Sequence, residues 1–375
     1  MKNKRVALVA NQASFNKNFH YTFDIFLKNK IFQLIKIFSP QHGLFAVKQA
    51  NMIESNDYFD EQRKIKIISL YGKKREPAKE DLEDIDVVCI DLFDIGTRYY
   101  TYIWTMALII KKCEEYNIPV VILDRPNPIN GITIEGNLQN ENYLSFVGLY
   151  LIPVRHSLTI GEVANYLKNQ YFKRVNLTII KMKNYERKKF YPDFNLYWHY
   201  PSPNMPNFLT ALNYPGLCLL EATNISEGRG TTCPFEIFGA PFIIAEQLCE
   251  KLNKIKLPAV YFRPIYFSPT FDKFKNQICG GAYIHITDYY KYKPYLTGIV
   301  IINEIKRLYP DNFEWYKGPY EYEYEKLAID ILTGSDEIRK IIEKGEQINI
   351  KKLNEFLERD NEKFLKIKKE IILYK

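Results

Sequence analysis

Three short stretches of the chain concentrate acidic, amide and arginine side chains between proline and glycine residues. They are Leu123–Pro128, Ser202–Pro206 and Glu221–Thr232. Acidic side chains can transfer protons, and arginine can bind an anionic group through its planar fork of donors. Loops this polar and restrained are costly to order unless they position something. We therefore expect these stretches to hold a ligand or to take part in acid–base chemistry.

The elements that carry the first of these stretches alternate between strand and helix. Apolar runs rich in β-branched residues are typical of strands in a parallel sheet covered on both faces. Five such runs lie at Val6–Ala10, Gln33–Phe38, Ile65–Leu70, Val87–Phe93 and Val120–Leu123. Helical patterns lie between them, at Thr22–Lys30, Lys79–Glu83 and Tyr102–Tyr116. The alternation predicts right-handed βαβ crossovers and a Rossmann-like parallel sheet.

Each predicted strand ends in a polar, turn-forming segment. These segments are Asn11-Gln12, Ser39-Pro40-Gln41-His42-Gly43, Tyr71-Gly72, Asp94-Ile95-Gly96-Thr97-Arg98 and Asp124-Arg125-Pro126-Asn127-Pro128. In open α/β sheets, ligands bind outside the carboxyl ends of the strands. This edge of the sheet is therefore the predicted site.

The character of the chain changes near residue 200. Before that point, capping-box spacing between Thr159 and Glu162 predicts a helix start. After it come Pro-rich loops, short aromatic strands and C-terminal helices, with strands at Ala259–Arg263 and Ala282–Thr287 and one helix across Leu353–Ile371. We predict an α/β protein: a Rossmann-like catalytic domain at residues 1–205, and a smaller α+β domain at residues 206–375 that closes the cleft.

Composition and motifs argue against several classes of function. The 375 residues have a net charge of +8, but basic and acidic residues are interspersed, which does not favour nucleic-acid binding. Because neither GxGxxG nor GxxxxGK[ST] is present, we expect no nucleotide cofactor. The five histidines lack metal-site spacing, the six cysteines lack CxxC spacing, and no GxSxG elbow is present. We therefore predict neither a metal nor another cofactor.

The sequence leaves the compartment and the oligomeric state open. No apolar run is long enough to span a bilayer. The basic start, Met1–Arg5, is followed by too few apolar residues for a signal-peptide core. As given, the chain is expected to be cytoplasmic, or exported if a leader was removed from it.

Ten motifs, in one order along most of the chain, give the sequence a specific resemblance. They are Ser39-Pro40-x-His42-Gly43-Leu44, Ser69–Gly72, Asp94–Tyr102, Leu123–Pro128, Ser145–Gly148, Pro153–His156, Ser202–Pro206, Tyr214–Gly216, Glu221–Thr232 and Pro234–Pro241. On these motifs the chain resembles the exo-β-N-acetylmuramidases of glycoside hydrolase family 171, formerly a domain of unknown function. The resemblance implies removal of N-acetylmuramic acid from the non-reducing end of peptidoglycan fragments, in a cleft between a Rossmann-like domain and a smaller domain.

The favoured catalytic position departs from the family pattern. The resemblance places a Glu, the favoured catalytic acid, where this chain has Gln41. An amide cannot donate a full proton, so acid catalysis at that position would be lost. Three interpretations follow: a member with weakened hydrolysis that still binds muropeptides, another carboxylate as the acid (Glu227, Asp94 or Asp124), or a Glu replaced to trap substrate.

The remaining predicted site residues are assigned to the sugar. We take Gln41 and Glu227 as the catalytic candidates. The lactyl carboxylate of muramic acid suits arginine, and four arginines lie in motif loops. The predicted substrate-binding residues are Asn11, His42, Asp94, Arg98, Asp124, Arg125, Asn127, Arg155, His156, Asn204, Asn224 and Arg229.

Overall fold

The computed structural model describes residues 1–49 and 52–375. Within these residues, seven strands form the larger sheet: β1 (Arg5–Ala10), β2 (Gln33–Ser39), β3 (Tyr58–Asp60), β4 (Ile65–Ser69), β5 (Val87–Asp91), β6 (Val120–Leu123) and β7 (Leu177–Ile180). Their spatial order is β3-β4-β2-β1-β5-β6-β7, and every pair except β3–β4 is parallel. The predicted α/β class and Rossmann-like sheet are confirmed.

Helices cover both faces of this sheet, as its apolar strands require. They are α1 (Thr22–Leu27), α2 (Lys79–Leu82), α3 (Tyr102–Glu115) and α4 (Ile160–Gln170). The capping box predicted at the start of α4 is present. Thr159 Oγ1 accepts a hydrogen bond from Glu162 N, and Glu162 Oε2 accepts one from Thr159 N, both at 3.1 Å.

The second half of the chain forms a smaller antiparallel sheet with helices. Three strands, β8 (Ile237–Ala240), β9 (Val260–Phe267) and β10 (Cys279–Ile286), pair in the order β8-β10-β9. The helices are α5 (Phe208–Leu217), α6 (Ala245–Ile255), α7 (Pro294–Leu308), α8 (Ala328–Thr333), α9 (Glu337–Glu343), α10 (Ile350–Leu357) and α11 (Asn361–Ile371). The single C-terminal helix predicted across Leu353–Ile371 is therefore wrong. The chain turns between α10 and α11, and each helix buries its own apolar residues.

The larger of two apolar clusters in the described residues runs through both halves of the molecule. It includes Trp104 of α3, Leu212 of α5 and Ile299 of α7. Helices α5 and α7 approach so closely at Gly216 that a Cβ there would lie 2.0 Å from the Pro294 carbonyl oxygen. This contact requires glycine, and it holds α5 and the loop after it against the rest of the core.

Candidate functional site

Two adjoining cavities lie where the loops of the two halves meet. The larger has a volume of about 580 Å³ and is lined mainly by residues 221–229, 272–274 and 314–321. The smaller is lined by Gln41, His42 and the segment that leads into α3. Arg229, Tyr320 and Glu321 line both. We refer to the two cavities together as the cleft.

A buried network of charges forms one wall of the cleft. Arg229 Nη2 lies 2.8 Å from Glu221 Oε1, and Arg229 Nη1 lies 3.5 Å from Glu227 Oε1. Lys273 Nζ lies 3.0 Å from Glu227 Oε2 and also donates to the carbonyls of Leu220 and Ile225. Two carboxylates and two cations thus share one low-dielectric region.

The two carboxyl groups of this network have opposite pKa directions. Burial alone would raise the pKa of Glu227, but its contacts with Lys273 and Arg229 outweigh burial and hold that pKa below its usual range. Burial raises the pKa of Glu221, and Arg229 offsets only part of that rise. Glu227 is therefore the carboxylate that the protein keeps charged. Separated acid and base characters of this kind mark catalytic carboxyl pairs.

Another part of the cleft wall contains Gln41, two residues after the end of β2. Its Oε1 accepts a hydrogen bond from Thr101 Oγ1 at 2.5 Å, and its Nε2 donates to Glu321 Oε1 at 3.1 Å. The other oxygen of Glu321 accepts a bond from the Tyr71 hydroxyl at 2.7 Å. All four side chains are buried. Gln41 is thus fixed in a polar chain that ends on a carboxyl group.

Burial in this polar chain raises the pKa of Glu321 to about 7. The hydrogen bonds from Tyr71 and Gln41, which favour the charged form, oppose that rise without cancelling it. Glu321 can therefore hold or release a proton near neutral pH, as a general acid must.

Three further predicted site residues lie in or beside the cleft. His42 lines the smaller cavity, and its Nδ1 lies 2.6 Å from the Lys48 carbonyl oxygen. Burial lowers the pKa of His42 to about 4, so the ring is neutral. Asn204 donates to the Gln49 carbonyl at 2.9 Å, and Asn224 bonds the backbone of Asn312 and Glu314. Both asparagines line the cleft while their side chains tie loops together.

The carboxyl edge of the sheet forms a separate cavity of about 600 Å³. Asp124 and Arg125 line it rather than the cleft. Arg125 forms a bidentate pair with Asp91, at 2.5 and 2.8 Å. Asp124 accepts bonds from Gly161 N, the Thr159 hydroxyl and the Tyr374 hydroxyl. Burial raises the pKa of Asp124 to about 6. These contacts hold Arg125 to the end of β5, and Asp124 to the start of α4 and to the C-terminal segment.

The other six predicted residues lie inside the protein and line none of the three cavities. Arg98 donates to the carbonyls of Asn137, Ile152 and Leu332, which lie in different parts of the chain. The remaining five also bond backbone or buried partners: Asn11, Asp94, Asn127, Arg155 and His156. Four of the six join segments that are distant in the chain, whereas the cited bonds of Asp94 and His156 come from backbone N–H groups two residues further along. A polar motif alone does not distinguish such contacts from ligand contacts.

Several cleft residues were missed by the sequence interpretation. Three of them lie within the motifs described above: Tyr71, Thr101 and Glu221. Membership of those motifs is the sequence feature that could have identified them as site residues. Glu321 lies in the run Pro319-Tyr320-Glu321-Tyr322-Glu323, where nothing in the sequence separates one Glu from the next. In residues 1–49 and 52–375, no group of three His, Cys, Asp or Glu side chains is arranged to hold a metal ion.

Comparison with known proteins assigns the family. The family models for the N-terminal and C-terminal parts of the exo-β-N-acetylmuramidase NamZ match residues 6–209 and 212–374. The chain belongs to the NamZ family. A relative from Bacillus subtilis (strain 168), the peptidoglycan β-N-acetylmuramidase NamZ, is 40% identical over 375 residues, which are 100% of this chain and 88% of that protein.

Solved structures of the family agree with the fold. Two proteins of the DUF1343 family from Bacteroides fragilis NCTC 9343 superpose on the whole of this chain and on 95% of each of theirs. The TM-scores are 0.88 and 0.76, and the sequences are 32% and 28% identical. Among the helices of the described residues, none is long and apolar enough to cross a membrane.

From the buried charge network we predict how the loss of Arg229 changes the stability of the protein. Replacing Arg229 by Ala leaves Glu221 and Glu227 short of a buried cation. Breaking a buried ion pair from one side typically costs about 3–5 kcal/mol. We expect urea denaturation of Arg229→Ala to show a loss of that size, while Arg263→Ala, at an exposed strand position, changes little. Equal stability of the two variants would mean that the network does not stabilise the fold.

Proposed function

We propose that this protein is an exo-acting glycosidase that releases N-acetylmuramic acid from the non-reducing end of peptidoglycan fragments. The observation that carries the proposal is the match to the NamZ family along the whole chain, together with a B. subtilis relative named for this activity. The cleft supports it, because it combines a charged carboxylate, Glu227, with carboxyl groups of raised pKa. Glycosidases need one carboxyl group in each of these two states.

A muropeptide-binding relative without catalysis is the less favoured alternative. Gln41 is the residue that favours this alternative, because the resemblance places a Glu at that position. The cleft nevertheless retains three buried carboxyl groups, Glu221, Glu227 and Glu321. An enzyme that had lost its chemistry would have no need to maintain three costly buried groups of this kind.

Recognition of the lactyl carboxylate is assigned to the cleft's cations. Arg229 lines the cleft, but its guanidinium already contacts Glu221 and Glu227. Lys317 also lines the larger cavity, beside Trp315 and Tyr316. Within the described ranges, Lys317 has no ion-pair partner, so its charge is available to an anionic sugar. The two aromatic rings provide an apolar wall for the pyranose.

The activity is tested with two disaccharides. One has N-acetylmuramic acid at the non-reducing end, followed by N-acetylglucosamine, and the other has the reverse order. We expect release of a monosaccharide only from the first, followed by chromatography. Cleavage of both at similar rates, or of neither, would contradict the proposed specificity or the proposed reaction.

Two lysine variants test whether Lys317 binds the lactyl carboxylate. A charge-assisted contact contributes about 1.5–3 kcal/mol. We therefore expect N-acetylmuramic acid to bind at least about tenfold more tightly than N-acetylglucosamine in calorimetry. Lys317→Ala should remove most of this preference, while Lys344→Ala, exposed at the end of α9, should keep it. If Lys317→Ala keeps the preference, another group binds the carboxylate.

A further inference from the structure

A buried carboxyl group from the second half of the chain lies beside Gln41 in the cleft. Glu321 Oε1 lies 3.1 Å from Gln41 Nε2, and Glu321 lines both parts of the cleft. We propose that Glu321 is the general acid of this enzyme and protonates the glycosidic oxygen in place of the Glu that position 41 lacks. This inference rests on the glycosidase function proposed for the cleft.

The contacts of Glu321 distinguish it from the other two buried carboxyl groups. Glu221 and Glu227 each contact a cation. Both oxygens of Glu321 instead face neutral donors, the Tyr71 hydroxyl and the Gln41 amide. Within residues 1–49 and 52–375, Glu321 has no ion-pair partner. A carboxyl group that is buried among neutral partners keeps its proton most readily, and its pKa of about 7 agrees with that environment.

Glu321 lies in a turn whose backbone conformation is unfavourable for its residue type. Tyr320 and Glu323 exchange two backbone hydrogen bonds at 3.0 Å, so Glu321 and Tyr322 are the central residues of a tight hairpin turn. Their φ angles are 45° and 68°. Asn-Gly is the preferred pair at such a turn, because ordinary side chains resist the left-handed region. The Glu–Tyr pair therefore has an unfavourable backbone conformation, and in this conformation the Glu321 side chain reaches Tyr71 and Gln41. Strained residues of this kind concentrate at functional sites.

The proposed step is balanced with water as the only co-reactant. The proton of the Glu321 carboxylic acid moves to the glycosidic oxygen as the bond between that oxygen and C1 breaks. The bonding electrons leave with the oxygen, the departing sugar becomes an alcohol, and Glu321 becomes a carboxylate. Water adds its hydroxyl to C1, and the proton that it releases restores the acid overall.

The test compares two substrates in Glu321→Gln. One is the disaccharide that begins with N-acetylmuramic acid, whose sugar leaving group needs a proton. The other is an aryl N-acetylmuramide with an acidic phenol, which leaves without one. We expect kcat for the disaccharide to fall at least about 10²-fold while KM changes little, and kcat for the aryl substrate to fall less than about tenfold. Glu323→Gln, on the same turn but outside the cleft, should match the wild type.

The outcomes separate this inference from the proposed function. If the wild type releases nothing from the disaccharide, the proposed function is wrong. If the wild type is active and Glu321→Gln cleaves the disaccharide within about fivefold of it, or loses both substrates equally, Glu321 is not the acid.

A second measurement needs no variant and covers the case in which Glu321→Gln does not fold. In the wild type, kcat for the disaccharide should fall above neutral pH while kcat for the aryl substrate does not. The groups that face Glu321 are Tyr71 and Gln41 in contact, with Glu221 and Arg75 acting through charge. Parallel pH profiles for the two substrates would overturn the assignment.

Discussion

Replacement of Glu227 by Gln is expected to lower kcat by about 10³-fold or more for both the disaccharide and the aryl substrate. Glu227 is the carboxylate that Lys273 and Arg229 keep ionised in the cleft. A charged carboxylate beside C1 acts as base or nucleophile, or stabilises the oxocarbenium-like transition state. None of these roles depends on how good the leaving group is, so both substrates should lose rate together. Steady-state kinetics with the two substrates measures the effect.

Glu236→Gln provides the matched control for Glu227→Gln. Glu236 is equally buried, but Asn207, Thr210 and Tyr283 bind it away from the cleft. We expect this variant to lose stability while keeping kcat within about fivefold. An active Glu227→Gln, or a Glu236→Gln that loses as much activity, would exclude a special role for Glu227.

Glu227→Gln and Glu321→Gln together separate two kinds of catalysis. The acid acts on the leaving oxygen, so the fall in kcat when the acid is removed depends on the substrate. The charged carboxylate acts at C1, so the fall in kcat when it is removed is the same for both substrates. This contrast distinguishes the two roles better than either rate constant alone, because a loosened cleft would lower both activities in both variants.

The sheet could be predicted from sequence because its information is local. Near-continuous apolar runs define β1, β2 and β5, and the capping box at Thr159 is a contact between residues three apart. The break between α10 and α11 was missed, since apolar spacing continues across the turn. The period of the apolar residues alone does not show where a helix ends.

The cleft was only partly predictable, because its chemistry depends on which loops meet. Gln41 and Glu227 were named from their motifs, but Glu321, which contacts Gln41 from the second half of the chain, comes from a turn with no distinctive spacing. Arg98 and Arg229 look alike in sequence. One bonds carbonyls in the interior, and the other lines the cleft between two carboxylates. Residue type gives the possible chemistry, and the partners of the side chain decide which chemistry is used.

Gln41→Glu is expected to change the pH dependence of the enzyme more than its rate at low pH. The new carboxyl group would lie at hydrogen-bond distance from Glu321, where Gln41 Nε2 now lies 3.1 Å away. Two carboxylates this close cannot both ionise readily, so the pair should hold one proton to higher pH and the pKa of the acid should rise by about one unit or more. A general acid works only while protonated, and the wild-type pKa of Glu321 is about 7.

The variant should therefore cleave the disaccharide about tenfold or more faster than the wild type at pH 9, and within a few-fold of it at pH 6, where Glu321 is already mostly protonated in both. Profiles of kcat from pH 5 to 9 check this, with Gln62→Glu, in an exposed turn, as the control that adds the same charge elsewhere. A gain of about 10²-fold at every pH would instead mean that position 41 itself is where the acid belongs and that Glu321 does not replace it. A gain confined to the alkaline side has a simpler cause: the acid is already present across the cleft, and its new neighbour only delays the loss of its proton.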